Sequence, residues 1–214
     1  MPISEKRIEM DVQFISNNTS RYSTLDGIRL ALQGGCRWIQ LRMKDADDET
    51  FLSTAKVARC LCRSYGAKLI LDDRVALVEA ACADGVHLGH LDMPLDEARQ
   101  ILGPNRIIGG TANTIEDIRR VASQGADYIG CGPLRFTTTK KNLAPLLGFD
   151  GYRRLLNAMH EENIYLPLVA IGGVTVDDLT ELQRIGVSGI AVSGYVLNAP
   201  DPVEAMKTLI TYGE

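Results

Sequence analysis

Gln40, Arg42 and Lys44 alternate with Ile39, Leu41 and Met43 in the run Ile-Gln-Leu-Arg-Met-Lys. In an extended chain successive side chains point to opposite faces, so the three apolar residues share one face and the three polar ones the other. If the apolar face packs on helices, the polar face turns to the interior or rim of whatever the strands enclose. A buried cation without a partner is costly. Arg42 and Lys44 therefore call for an anion, and a phosphorylated ligand suits both. Solvated charges on an edge strand would give the same alternation, although a closed barrel has no edge.

Acids follow. Asp72-Asp73 succeeds Lys68-Leu69-Ile70-Leu71, and Asp92 ends Gly85-Val86-His87-Leu88-Gly89-His90-Leu91-Asp92. Carboxylates beside phosphate-binding cations suit Mg2+, which takes one or two carboxylates and fills its shell with substrate oxygens. Asp73 and Asp92 are the expected pair, though Asp92 could simply precede the helix that Met93-Pro94 opens. His87 and His90 are spaced so that they do not share a strand face. Without a third soft ligand they point away from zinc, to an interior histidine and a loop residue. Ile171-Gly172-Gly173-Val174 and Val192-Ser193-Gly194 complete the set, because glycine lets backbone N–H groups approach an anion.

The elements that must carry these residues repeat eight times, each an apolar run followed by an amphipathic stretch. The runs lie at 12–15, 38–43, 68–71, 85–88, 106–109, 128–131, 167–171 and 189–192. The helical segments are expected at about 22–34, 47–65, 74–82, 94–102, 114–124, 149–161, 175–185 and 201–212. Thr114 with Glu116 and Asp117, and Thr175 with Asp177 and Asp178, read as helix starts. Gly66, Gly125 and Gly186 read as left-handed helix ends. Eight alternating units favour a (β/α)8 TIM barrel over a doubly wound open sheet, which usually has fewer strands. No linker interrupts the pattern, so residues 1–214 are expected to form a single TIM-barrel domain. Barrel active sites lie at the C-terminal strand ends, often with phosphate after strands seven and eight. That places Arg42, Lys44, Asp73, Asp92 and the two glycine-rich segments at one mouth. Residues 133–148 form a loop well beyond the usual strand-to-helix length, which suits a lid over that mouth. It is expected to be polar and loosely anchored.

Composition narrows the class. A net charge of −4 offers no global field for nucleic acid or an anionic membrane. No run reaches the length of a membrane span. Cys36, Cys60, Cys62, Cys82 and Cys131 make no metal framework and are expected to be buried or half-buried thiols. Their odd number, with no apolar signal segment at the start, suits a reducing cytoplasm. The expected partners are small phosphorylated molecules. The sequence does not fix whether the chain forms a homo-oligomer.

Taken in order, several motifs resemble thiamine-phosphate synthases: Gln-Leu-Arg-Met-Lys at 40–44, Asp-Asp-Arg at 72–74, the 84–92 segment, Gly-Ala-Asp-Tyr-Ile-Gly-Cys-Gly-Pro at 125–133, Thr-Thr-Thr-Lys-Lys at 137–141 and Ala-Ile-Gly-Gly-Val at 170–174. Any one is unspecific, whereas the ordered set is not. The family joins hydroxymethylpyrimidine diphosphate to a thiazole phosphate and releases pyrophosphate. The resemblance assigns Gln40 to the pyrimidine, and Arg42, Lys44 and Lys140 to the diphosphate as catalytic groups. It makes Asp73 and Asp92 the Mg2+ ligands. Thr137 and Thr139, with backbone at Gly173, Val192 and Ser193, would hold the thiazole phosphate. It implies a dissociative reaction, and the sequence accordingly offers cations for leaving-group charge but no evident nucleophile.

Three positions depart from the pattern. Asp72, counted among the substrate-binding residues, stands where Asn is common. His90 replaces a usual Gln. Thr111-Ala112-Asn113 replaces Ser-x-His, with Thr111 keeping a hydroxyl near the diphosphate. A related thiazole tautomerase would need the histidine that Asn113 replaces and lacks the acid pair. A catalytically idle phosphate-binding barrel would need the glycines but not Asp73, Asp92 and Lys140 together.

Overall fold

Each apolar run becomes one strand because its outward residues find helices and its inward residues find one another. The computed structural model describes residues 11–137 and 145–212. Strands β1 (Asp11–Ile15), β2 (Trp38–Leu41), β3 (Lys68–Asp72), β4 (Gly85–Leu88), β5 (Ile107–Ala112), β6 (Tyr128–Cys131), β7 (Leu168–Ile171) and β8 (Gly189–Val192) are parallel and close in sequence order, β1 pairing with β8. Helices α1 (Thr24–Gln33), α2 (Asp48–Ser64), α3 (Leu95–Leu102), α4 (Ile115–Ser123), α5 (Gly148–Glu161), α6 (Leu179–Ile185), α7 (Gly194–Leu197) and α8 (Pro202–Ile210) follow the chain around it. This is the (β/α)8 barrel.

The expected caps form. Thr114 and Asp117 make a reciprocal capping box at α4, which satisfies two otherwise unpaired N–H groups. Gly66, Gly125 and Gly186 all have positive φ. Two expectations need correction. The segment 74–82 is not an α-helix but a single 3-10 turn, Val75–Leu77, followed by turns. Few residues must return the chain from β3 to β4, and a 3-10 turn rises about 2.0 Å per residue against 1.5 Å for an α-helix. The second correction is α7, which was not expected, since four residues are too few to show a helical period.

Two apolar layers result. Outward residues such as Phe14, Ile39, Leu41, Leu69, Leu71 and Ile129 pack with the helices in the main core. Inside the barrel, Tyr128, Val169 and Ala191 pack with Ile15, Trp38, Ile107 and Ile171, and Trp38 meets Tyr128 edge-on at 4.8 Å. Gly109 is required here. A Cβ would sit 2.5 Å from His87 Nδ1 and closer still to the Tyr128 ring. Of the cysteines, Cys36, Cys62 and Cys131 are buried, but Cys60 and Cys82 are exposed, against expectation. Cys60 sits two residues from buried Cys62 on α2, and that spacing puts the two on different faces. Among the described residues no helix is long and apolar enough to cross a membrane.

Candidate active site

Strand parity puts Trp38, Gln40 and Arg42 on the inner side of β2, and Met43 packs on the outer core. Gln40 is only 2% exposed. The chain beyond it is held by Ser16, whose Oγ accepts from the Arg42 N–H at 2.9 Å. Arg42 and Lys44 then turn to the end of β3. Arg42 Nε lies 3.6 Å from Asp72 Oδ2 and Lys44 Nζ 3.2 Å from the same oxygen. Lys44 also pairs with Asp73. Burial alone would lower the Lys44 pKa, but Asp72 and Asp73 outweigh it, so the ammonium is raised. Burial pushes the Asp72 carboxyl up, against the pull of Lys44 and Arg42.

Asp73 has φ +64, a left-handed conformation that Asp tolerates better than most side chains. Across the β3–β4 step, Asp92 is held by the Gly89 N–H at 2.6 Å. A Cβ at Gly89 would stand 2.9 Å from Asp92 Oδ2, so glycine permits that approach. The Asp92 pKa is raised by burial first and by the neighbouring Asp73 carboxyl second. Neighbouring carboxyls of like charge favour a shared cation or proton. Among the described residues no group of three or more His, Cys, Asp or Glu converges. A cation at this pair would have to take its remaining oxygens from a ligand or water, as Mg2+ commonly does.

Below this cluster lies a buried polar chain that the sequence reading did not identify. Gln13 Nε2 donates to the Tyr128 hydroxyl at 3.3 Å. That hydroxyl is 3.0 Å from His87 Nδ1, and His87 Nε2 is 3.0 Å from Thr111 Oγ1. His87 is the interior histidine expected from the sequence, and the alternating pattern of inward residues could have flagged Gln13, but not the meeting of both with Tyr128. His90 and Asn113, two of the departures noted above, face each other: His90 Nε2 is 2.9 Å from Asn113 Oδ1, and Arg120 donates to His90 Nδ1 at 3.0 Å. Asn113 also donates to the Gly132 carbonyl.

On the ring, β7 lies four strands from β3, so the glycine-rich loops are opposite the acids. Gly172 and Gly173 both have positive φ. Next to them, Ser193 leads into α7, and its Oγ is buried without a hydrogen bond among the described residues. Val192 packs outward in the core, so only its backbone is available to a ligand.

The described legs of the long loop are anchored to β7 and to each other. Leu134 and Arg135 N–H groups donate to Ile171 and Gly172 carbonyls at 2.9 and 3.0 Å, and Leu147 and Gly148 donate back to Pro133 and Leu134. Arg135, unremarked in the sequence, grips Asp178 with two nitrogens at 2.7 and 2.5 Å and the Gly173 carbonyl at 2.8 Å. Backbone pairing with β7 and this clasp hold both legs. Thr137 is half-buried at the end of the first leg. Thr139 and Lys140 lie outside the described residues.

A closed barrel with a cationic and acidic pole facing a glycine-rich pole at its C-terminal rim has the location and charge pattern of a barrel active site. A family model described as thiamine monophosphate synthase matches residues 12–196. The chain belongs to that family and is a transferase of thiamine biosynthesis. It is 52% identical to the thiamine-phosphate synthase of Phocaeicola vulgatus, over 97% of this chain and 99% of that one. It is 44% identical to the Flavobacterium johnsoniae thiamine-phosphate synthase, over 89% of this chain and 90% of that one. Among solved structures, thiamine phosphate pyrophosphorylase from Pyrococcus furiosus superposes with a TM-score of 0.82 at 34% identity, covering 95% of each chain.

Proposed function

We propose that the chain joins hydroxymethylpyrimidine diphosphate to hydroxyethylthiazole phosphate, releasing pyrophosphate, and that residues 1–214 act as a single barrel domain in the cytoplasm. The observation that carries this reading is the convergence of Arg42 and Lys44 with Asp72, Asp73 and Asp92 at the rim, opposite Gly172, Gly173 and Ser193. Two phosphorylated substrates need two anion poles, and one of them needs acids as well as cations only if a metal accompanies it.

Arg42 and Lys44 bind the diphosphate, exchanging Asp72 and Asp73 for phosphate oxygens. Asp73 and Asp92 would hold Mg2+, which when bound supplies charge neutralisation to the leaving diphosphate. The methylene C–O bond of the pyrimidine breaks with its electron pair going to the diphosphate oxygen. The thiazole nitrogen then gives its lone pair to the resulting cation and forms the C–N bond. Preorganised cations act on charge that develops in the transition state, which is where electrostatic contacts count most. Gln40 orients the pyrimidine, Thr111 donates to the diphosphate, and the backbone at Gly173, Val192 and Ser193 holds the thiazole phosphate with Thr137 and Thr139. Lys140 reaches the diphosphate from the loop, and closure of the loop keeps water from the cation.

Purified protein incubated with both substrates and Mg2+ should yield thiamine phosphate and pyrophosphate in equal amounts. Binding of thiazole phosphate with no product under any Mg2+ concentration would instead support an idle phosphate-binding barrel.

A further inference from the structure

Arg74 follows the two acids of the Asp-Asp-Arg run and is fixed to their turn. Its N–H donates to the Asp72 carbonyl at 2.9 Å, and the Val75 N–H donates to the Asp73 carbonyl at 3.2 Å. Its side chain runs to the neighbouring loop. Nη2 donates to the Ala46 carbonyl at 3.0 Å, and Nη1 lies 3.6 Å from Asp48 Oδ1. The guanidinium also stands over the ring of Phe51, 5.4 Å from its centroid. Phe51 is buried in the main core, so the planar group has a fixed surface to lie on. These contacts bracket Lys44. The Ala46 N–H donates to the Met43 carbonyl at 3.3 Å, which closes the turn 43–46 with Lys44 inside it. Met43 and Ala46, at the two ends of that turn, pack on the main core. Asp48 and Phe51 belong to the first turn of α2, just beyond it.

Two kinds of link therefore join the Lys44 turn to the end of β3. One is the pairing of Lys44 with Asp72 and Asp73; the other is Arg74. They differ in what a diphosphate does to them. A diphosphate draws the Lys44 ammonium from the carboxylates, so the first link is lost as the ligand binds. Arg74 holds a carbonyl, an aromatic face and a carboxylate on α2, none of which is a partner that Lys44 gives up. We infer that Arg74 is a positioning residue: it keeps the Lys44 turn docked against the acid turn when the diphosphate has separated Lys44 from Asp72 and Asp73. Without it the ligand would have to order that turn itself, and the ordering cost would subtract from affinity. The inference rests on the proposed role of Lys44 at the diphosphate and concerns that pole alone.

The test sets inorganic pyrophosphate with Mg2+, which carries the diphosphate group without the pyrimidine, against the thiazole phosphate. A guanidinium hydrogen bond to a carbonyl, partly open to water, is worth about a tenfold change in affinity. In Arg74→Ala of the full chain, Kd for pyrophosphate with Mg2+ should rise about tenfold by titration calorimetry, with Kd for the thiazole phosphate unchanged. At equal saturating pyrophosphate the gain in Tm should be about 3–6 °C smaller than in wild type. Loss of a merely structural contact would lower Tm with and without ligand alike and leave that gain intact. Arg74→Lys keeps a donor but not the planar group, so its pyrophosphate affinity should fall about threefold. If Arg74→Ala does not fold, Arg74→Lys decides alone. Unchanged pyrophosphate affinity, or equal loss toward both ligands, would overturn the inference. If pyrophosphate binding weakens as stated in a protein that forms no thiamine phosphate, the tether stands and the proposed reaction fails.

Discussion

Removing Arg135 gives the most direct measure of how the loop and the glycine-rich pole depend on each other. The Asp178 side chain is 5% exposed, whereas that of Arg135 is 45% exposed. In Arg135→Ala, Asp178 keeps the Thr175 N–H and hydroxyl at 2.8 and 3.0 Å but loses both guanidinium bonds. A fully buried pair broken in this way costs about 3–5 kcal/mol. Water reaches the guanidinium side, so the cost should fall to about 1.5–3 kcal/mol, the range for one or two charge-assisted hydrogen bonds. At about 2–4 °C per kcal/mol for a chain of this size, Tm should drop by roughly 3–12 °C. The pH dependence has a definite sign. Burial pushes the Asp178 pKa up, but Arg135 and Thr175 outweigh it and hold the carboxyl below its ordinary value. A depressed folded-state pKa stabilises above the unfolded value and ceases to do so as pH falls through the folded one. The difference between wild type and variant should therefore be full at pH 5–7 and shrink below about pH 3.8. Calorimetry across that range, paired with titration of the thiazole phosphate, checks both halves. Unchanged Tm at neutral pH together with unchanged phosphate affinity would refute the clasp.

Other expectations follow from the same geometry. Asp73→Ala and Asp92→Ala should each lower turnover by orders of magnitude at limiting Mg2+, since a metal contributes several kcal/mol to charge stabilisation; near wild-type rates in both would remove them as ligands. Gly109→Ala should destabilise by about 2–3 kcal/mol through overpacking against Tyr128 and His87, read from urea midpoints. Lys140→Ala should cost roughly 2–4 kcal/mol in kcat/KM with little change in Tm; normal kinetics would take the loop lysine out of the reaction. Thiazole tautomerase activity should be negligible, because Asn113 has no basic nitrogen and its oxygen faces His90; rapid proton exchange on the thiazole carboxylate would contradict this.

The sequence by itself determined the barrel, its eight strands and the mouth. Those depend on local periodicity, caps and alternation, each legible within a few residues of itself. The run from Ile39 to Lys44 showed that Gln40, Arg42 and Lys44 face inward because side-chain parity is a property of the strand alone. The helix that failed at 74–82 and the unexpected α7 mark where local pattern gives way: one connection is too short for its period to matter, and the other helix too short to have one. What only the tertiary structure decided is which inward residues meet. Tyr128 reaches Gln13 and His87 across the lumen, His90 meets Asn113, and Arg135 clasps Asp178 across two loops. Each pair is far apart in the chain, and its contact depends on closure of the eight-stranded ring and on glycines that leave space beside the partners. No spacing rule along the chain records that closure, because the distance across a barrel is set by strand number and tilt and not by the residues at either end.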